Sequence, residues 1–230
     1  MIHSTLLMFE LFLLAVPEPV AFYPLNGNFT TNDVRRLPWL KGRASNVVLT
    51  TGPHGAAQGA YEFSGNSNSY IEFPNSNETL DVKKSITLVC WVKPGGQDGP
   101  LFNYKRDGHF GVHIWIEGNG KFFHRITKFS SYAYLDYLQT DQPLEVGKWV
   151  HVAATYDNSS GVNSIYVDGV LNKTQNIEKG IRIATNDPAV RMGVKIGDSR
   201  YFKGAIAKMM VYDVALSAQQ ILAVKNQGKL

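Results

Sequence analysis

Apolar and polar positions in this chain alternate in short runs that are broken at close intervals by turn dipeptides. Strand character falls at Val20–Tyr23, Tyr70–Phe73, Ile86–Val92, Gly111–Ile116 and Lys121–Ile126. It returns at Trp149–Tyr156, Ser164–Val167, Ala189–Ile196 and Ala205–Tyr212. Asn26-Gly27, Asp107-Gly108, Asn119-Gly120 and Asp168-Gly169 tolerate the positive φ of hairpin turns. Many short strands with almost no helical period predict an all-β sandwich or barrel, and the hairpins argue against an α/β fold. In Ser164–Asp168, Ile165 and Val167 face one side and Tyr166 the other, the period of a half-exposed strand. Ile86–Val92 is apolar in both phases, with Thr87, Val89 and Trp91 on one face and Ile86, Leu88, Cys90 and Val92 on the other. Such a strand is central and covered on both sides. One short helix is predicted at Ala218–Val224, capped by Ser217 and ended by Gly228, placed as a lid on a sheet edge.

Composition narrows this picture. The 230 residues are 44% hydrophobic and only 18% charged, which fits one large globular domain and not a disordered tail. No linker or internal repeat divides the chain, so residues 20–230 read as one domain behind a leader at 1–19. The net charge of +4 is scattered, with adjacent basic pairs only at Arg35–Arg36, Lys83–Lys84 and Lys105–Arg106. A nucleic-acid binder would carry a denser stripe, so that class is excluded, whereas an acidic or sulfated glycan suits a modest positive potential. Cys90 is the single cysteine, so no internal disulfide forms, and its apolar strand predicts a buried, inert thiol.

Leu6–Val16 has the length of a signal-peptide apolar region, though Glu10 interrupts it, and it is too short to span a membrane. Four sequons, at Asn28, Asn77, Asn158 and Asn172, point the same way, toward a secreted glycoprotein. Most of them fall in turn or loop contexts, where a sugar can be carried.

Catalytic signatures are missing. Glycan hydrolysis needs two carboxylates a few ångströms apart, yet no two glutamates lie within five residues, and Glu72, Glu117 and Asp136 stand alone in their segments. His109 and His113, four apart in a strand-rich region, sit roughly 13 Å apart along the chain, too far to share a metal. His151 reads as a hydrogen-bonded structural histidine. Binding chemistry is better represented. Tyr132, Tyr134 and Tyr137 follow closely on one another, and Tyr132 and Tyr134 share a face if the segment is extended, offering either a platform for a sugar ring or packing against a sheet. Arg125 and Lys128, just upstream, add contacts for an acidic glycan. Calcium would draw on Asp107, Asp157, Asn158 and Asp198, the oxygen donors in predicted turns, although each alone is an ordinary turn former. No cofactor is required by anything in the pattern.

Several ordered stretches resemble the laminin-G-like, concanavalin-A-like jelly-roll family over roughly residues 20–224. They are Ala21–Gly27, Gly59–Gly65 with Tyr70–Pro74, Ser85–Pro94, Gly147–Asp157 with Ile165–Gly169, and Phe202–Ile206 with Val211–Ser217. One departure is Ala207-Lys208, where the family often places an acidic pair. The resemblance implies two antiparallel sheets packed face to face, with rim loops that bind glycans, matrix proteins or receptors, sometimes with calcium. The expectation is therefore an extracellular, non-catalytic recognition module. A purely structural matrix component or a diverged glycoside hydrolase of the same fold are the alternatives.

Overall fold

The computed structural model describes residues 15–106, 109–131 and 133–227. The first strands are β1 (Ala21–Tyr23), β2 (Arg43–Ser45), β3 (Val47–Thr50), β4 (Ala60–Ser64) and β5 (Tyr70–Pro74). Then come β6 (Ile86–Gln97), β7 (Gly99–Arg106), β8 (His109–Ile116), β9 (Phe122–Thr127) and β10 (Tyr134–Gln139). The last are β11 (Val150–Asp157), β12 (Val162–Val167), β13 (Val170–Asn176), β14 (Ala189–Met192) and β15 (Lys203–Tyr212), followed by helix α1 (Ala218–Gln227). One sheet runs β13-β12-β11-β6-β15-β4-β3, with β1 also paired to β15. The other runs β10-β9-β8-β7-β14-β5-β2. These are the β6 sheet and the β8 sheet, all antiparallel, and together they make the expected sandwich.

The core lies between the sheets, where period-2 alternation delivers one face of each. Phe63, Leu88, Cys90, Val92, Val152, Ile165 and Val211 from the β6 sheet meet Ile71, Phe73, Phe102, Ile114, Phe122 and Val190 from the β8 sheet. Burying each of the larger side chains contributes about 1.5–3 kcal/mol, enough in sum to hold the fold without a disulfide. Cys90 is buried as expected, and burial pushes its thiol up, far from the reactive range.

The β6 strand is covered on both sides. Its outer face, with Val89, packs under Ile221 and Val224 of α1 together with Ala153, Tyr166 and Tyr212. The helix therefore lies on the face of the sheet and not on an edge, because the small Ala153 leaves room for its apolar side. Ser217 caps it as predicted: the Gln220 N–H donates to Ser217 Oγ at 3.3 Å and the Ser217 N–H to Gln220 Oε1 at 2.9 Å. Val16 joins the same cluster, and Gln220 Nε2 donates to the Ala15 carbonyl at 2.9 Å. Residues 15–19, assigned to a leader by the sequence pattern, thus lie against the domain; the rest of that leader falls outside the described residues.

Strands β2, β3, β7 and β13 lie outside the runs read from sequence, although β3, with Val47, Val48 and Leu49, and β7, with Leu101, Phe102 and Tyr104, are apolar. In β13 nearly every residue is exposed, as an edge strand permits. The Asp168-Gly169 hairpin does form between β12 and β13, with φ of 52° and 82° at its two residues. Strand β14 stops at Met192 and not at Ile196. Gly193 turns the chain there at φ 84°, where a Cβ would strike the Phe63 ring and the Ser69 carbonyl. That turn sends residues 195–200 across the outer face of the β8 sheet, where Lys195 meets Phe110 and Arg200 meets Trp115.

Candidate functional site

The outer face of the β8 sheet carries an aromatic surface assembled from three neighbouring strands. His113 lies opposite Arg125, and Trp115 opposite Phe123, across the β8–β9 pair. Tyr137 lies opposite Arg125, and Gln139 opposite Phe123, across β9–β10. Residues directly opposite in a ladder share a face, so these six side chains form two adjacent rows.

Two bulges widen the surface. Between the Asn103–His113 and Lys105–Phe110 pairs, β8 advances one residue more than β7, which brings Phe110 into phase with His113 and Trp115. Phe110 then packs against His113 at 5.1 Å and Trp115 at 6.0 Å between centroids. A second bulge between Tyr134 and Tyr137 puts both tyrosines on the outer face. Simple alternation would have separated those two. Tyr132, the partner that alternation assigns to Tyr134, lies outside the described residues.

These side chains and the crossing segment enclose a pocket of about 370 Å³, lined by Trp115, Phe123, Arg125, Tyr137 and Gln139 on the sheet and Arg200 above it. His113, Phe123 and Tyr137 form a stack, with centroid distances of 5.6 and 5.1 Å and interplanar angles of 14° and 22°. Tyr137 is 48% exposed while Trp115 is 1% exposed, so the tyrosine offers its ring and the tryptophan forms the floor. A second hollow of about 240 Å³, lined by Asp98, Gln97, Pro143 and Val146, adjoins the first along Glu117–Asn119.

Cations sit over the rings. Arg125 lies 5.0 Å from the Phe123 centroid and 5.3 Å from those of Tyr134 and Tyr137. Lys195 Nζ lies 4.1 Å over Phe110, and Arg200 4.7 Å over Trp115. Burial lowers the pKa of both Arg125 and Lys195, since a desolvated cation is disfavoured. Arg200 goes the other way, because it grips Asp198 through Nε and Nη2 at 2.9 and 2.8 Å, and its Nη1 stands 3.8 Å from Glu117. That grip holds Asp198 below the usual carboxylate range, whereas burial raises Glu117. His113 is held neutral at about 3, first by burial; its Nδ1 meets the Gly111 carbonyl at 2.8 Å.

Of the residues singled out by sequence, Arg125, Tyr134 and Tyr137 come together here. Lys128 does not, since its ammonium pairs with Glu178. The calcium candidates are engaged elsewhere. Asp157 accepts from Ser159 Oγ at 2.8 Å and Ser160 Oγ at 2.6 Å, Asn158 Nδ2 donates to the Ile181 carbonyl, and Asp198 is held by Arg200. Asp107 lies outside the described residues, and among those described no three His, Cys, Asp or Glu side chains converge as a cation cage. Asn28, Asn77 and Asn172 are exposed, but Asn158 is partly buried with its amide engaged. His151 is buried as expected, yet both ring nitrogens lack a hydrogen-bond partner, and it packs edge-on against Trp91 at 5.4 Å. Burial depresses its pKa to about 3.

The sequence pattern gave no binding role to Phe110, Trp115, Phe123, Gln139, Lys195 or Arg200, and raised His113 only as a metal ligand. The first signal was available: positions 113, 115, 123 and 125 alternate on two strands joined by Asn119-Gly120. Lys195 and Arg200 gave none, because only the fold of the crossing segment brings them to the sheet.

No curated protein matches the chain. Among solved structures it is similar to the binding domain of botulinum neurotoxin serotype G, at 13% identity and a TM-score of 0.71, covering 92% of this chain and 51% of that one. The serotype D ligand-binding domain, in complex with N-acetylneuraminic acid, matches at 17% identity and a TM-score of 0.71, with the same coverage of 92% and 51%. Domain 4 of an extracellular arabinanase from Geobacillus stearothermophilus, in complex with arabinotriose, matches at 20% identity and a TM-score of 0.66, covering 90% of this chain and 98% of that one. The chain spans about half the length of the neurotoxin domains, and the likeness to all three is one of fold. Residues 64–222, well over half of the sequence, match the model of a laminin-G family described as the concanavalin A-like lectin/glucanases superfamily. With the two-sheet topology this settles the family: the chain belongs to the concanavalin A-like lectin/glucanases superfamily, as a laminin-G-like member.

Proposed function

We propose that this chain is an extracellular, non-catalytic recognition module that binds glycan on the outer face of the β8 sheet. The observation that carries this reading is the pocket of about 370 Å³ floored by Trp115 and Phe123 and edged by the half-exposed Tyr137. A sugar ring presents an apolar C–H face to such an aromatic, and its hydroxyls take up polar groups placed around the rim, here Gln139, Asn119 and Arg200. Similar folds solved with arabinotriose and N-acetylneuraminic acid support the reading. The site proposed is a sheet face walled by loops, whereas the family resemblance points to rim loops.

The carboxylates also favour binding over hydrolysis. Glu117 and Asp198 do approach one another, a juxtaposition that spacing along one strand does not reveal. Arg200 pairs with both, at 2.8 Å from Asp198 and 3.8 Å from Glu117, so both carboxylates are engaged by a cation instead of facing open space as a free acid and nucleophile. The exposed sequons at Asn28, Asn77 and Asn172 support a secreted location. No helix among the described residues is long and apolar enough to cross a membrane.

The test is a glycan array and affinity electrophoresis of the purified protein, with calcium and with EDTA. Retention of at least one glycan, weakened by Tyr137→Ala, is the expected result. Failure to retain any glycan in either condition would leave a module that acts through protein contacts. Release of reducing sugar from a polysaccharide panel would overturn the non-catalytic part.

A further inference from the structure

Arg125 stands apart from the other cations of this surface. Arg200 has Asp198 and Glu117, and Lys128 has Glu178. Among the described residues no carboxylate lies within ion-pair distance of Arg125, although it lines the pocket and its Nε is buried without a hydrogen-bond partner. Three rings surround its guanidinium at 5.0–5.3 Å. They attract its charge but accept none of its N–H bonds, so the donor fork stays available. Lys195, only 4% exposed behind Phe110, adds a second positive charge within electrostatic range of His113 and also lacks a carboxylate at ion-pair distance among the described residues. Partly desolvated positive charge without an anion is costly to keep, and an incoming anion removes that cost.

Resting on the glycan-binding reading, we infer that the pocket is selective for an acidic sugar, with the carboxylate or sulfate seated on the Arg125 guanidinium and the sugar ring against Tyr137. A planar fork of N–H donors pairs bidentately with a carboxylate and nearly as well with two sulfate oxygens. Lys195 reinforces the seat from over Phe110, outside the pocket lining, without touching the ligand. Glu117 also lines this pocket and acts on Arg125 at longer range, but its carboxylate faces Arg200 at 3.8 Å, which leaves the Arg125 fork to the ligand.

The experiment compares each acidic glycan with its uncharged twin: sialyllactose with lactose, polygalacturonate with its methyl ester, and dextran sulfate with dextran. Affinities are measured by calorimetry or affinity electrophoresis at fixed ionic strength, for wild type, Arg125→Gln, Lys195→Met and Lys128→Ala, each checked for folding by thermal melt. At least one acidic member should bind about tenfold or more tightly than its twin. That ratio should collapse in R125Q, shrink in K195M and persist in K128A, whose charge lies outside the pocket. Which pair shows the preference tells carboxylate from sulfate. Twins that bind alike, or a preference that survives R125Q or falls equally in K128A, would overturn the acidic selectivity while leaving glycan binding intact. Absence of binding to every member would overturn both.

Discussion

The two outer faces of this sandwich each hold a tryptophan edge-on to a histidine, and the two pairs meet different fates. On the β6 sheet, Trp91 and His151 sit opposite one another on β6 and β11, 5.4 Å apart at 70°. On the β8 sheet, His113 and Trp115 lie two residues apart on β8, at 6.0 Å and 74°. Both histidines are buried, and burial pushes their pKa values down to about 3, so both rings are neutral at pH 7. The neighbours differ. Around Trp91 are Ala60, Ala205 and Ala207, with His54 packed 5.0 Å from the indole, while Ala153 on the same face admits α1. Small side chains let a helix and a turn settle onto the sheet and close it. Around Trp115 are Phe110, Phe123, Arg125 and Arg200, whose bulk and charge keep any helix off. The same ring pair serves as packing on one face and as a pocket floor on the other.

The sharpest way to break this comparison is Trp91→Ala. It should cost about 3–5 kcal/mol of stability by urea titration, the range for a large buried aromatic, with the glycan affinity of the folded fraction unchanged. A loss under about 1 kcal/mol would mean that the covered face is not packed as described.

Acid should act on both faces together. The folded pKa values of His113 and His151 lie near 3, below the unfolded value of about 6.5, so the unfolded chain binds more protons between those limits. Their contribution is fully present above about pH 6.5 and is lost as pH falls toward 3, at up to about 1.4 kcal/mol per pH unit for each histidine. Denaturant titrations from pH 7 to 4 should show the decline, and His151→Phe should make it shallower without altering glycan binding. A pH-independent midpoint over that range would contradict the burial of both rings.

Tyr137→Ala reverses the balance seen at Trp91. Stability should stay within about 0.5 kcal/mol of wild type because the ring is half exposed. Affinity for a bound glycan should fall about 3–10-fold, the scale of one aromatic platform. Equal affinity in this variant would remove the β8 face as the site.

The smallest effects concern the sequons, none of which lines the pocket. Expressed in a eukaryotic secretory host, the protein should carry glycans at Asn28, Asn77 and Asn172 by peptide mass spectrometry. Asn158 should stay bare, since its amide is held by the Ile181 carbonyl. Gln substitutions at the three exposed sites should shift stability by no more than about 0.5 kcal/mol. Occupancy at Asn158 would show that the loop after β11 opens.

Much of the fold was legible in the chain because backbone pattern is local. Period-2 alternation, the Asn119-Gly120 and Asp168-Gly169 turns and the doubly apolar Ile86–Val92 run act over a few residues and appear in place, whereas Asn26-Gly27 lies in a loop outside any hairpin, without positive φ, and Asp107-Gly108 falls outside the described residues. The site was legible only in part. Arg125, Tyr134 and Tyr137 stood out as residue types, but alternation alone would have put the tyrosines on opposite faces. The bulge between them, like the one that swings Phe110 beside Trp115, inserts a single residue that reverses the phase. A pattern rule cannot see such an insertion, because the register of the partner strand decides it.

Local pattern along the chain already specifies an antiparallel sandwich with a C-terminal helix, a buried Cys90 and no carboxylate pair on any one strand. Packing in space then sets which face stays open, which cations stand away from carboxylates and how far Arg200 reaches. Those depend on contacts between residues dozens of positions apart, as when the turn at Gly193 carries Lys195 and Arg200 onto strand β8. Strand identity follows from neighbours along the chain; a binding face follows from neighbours in space.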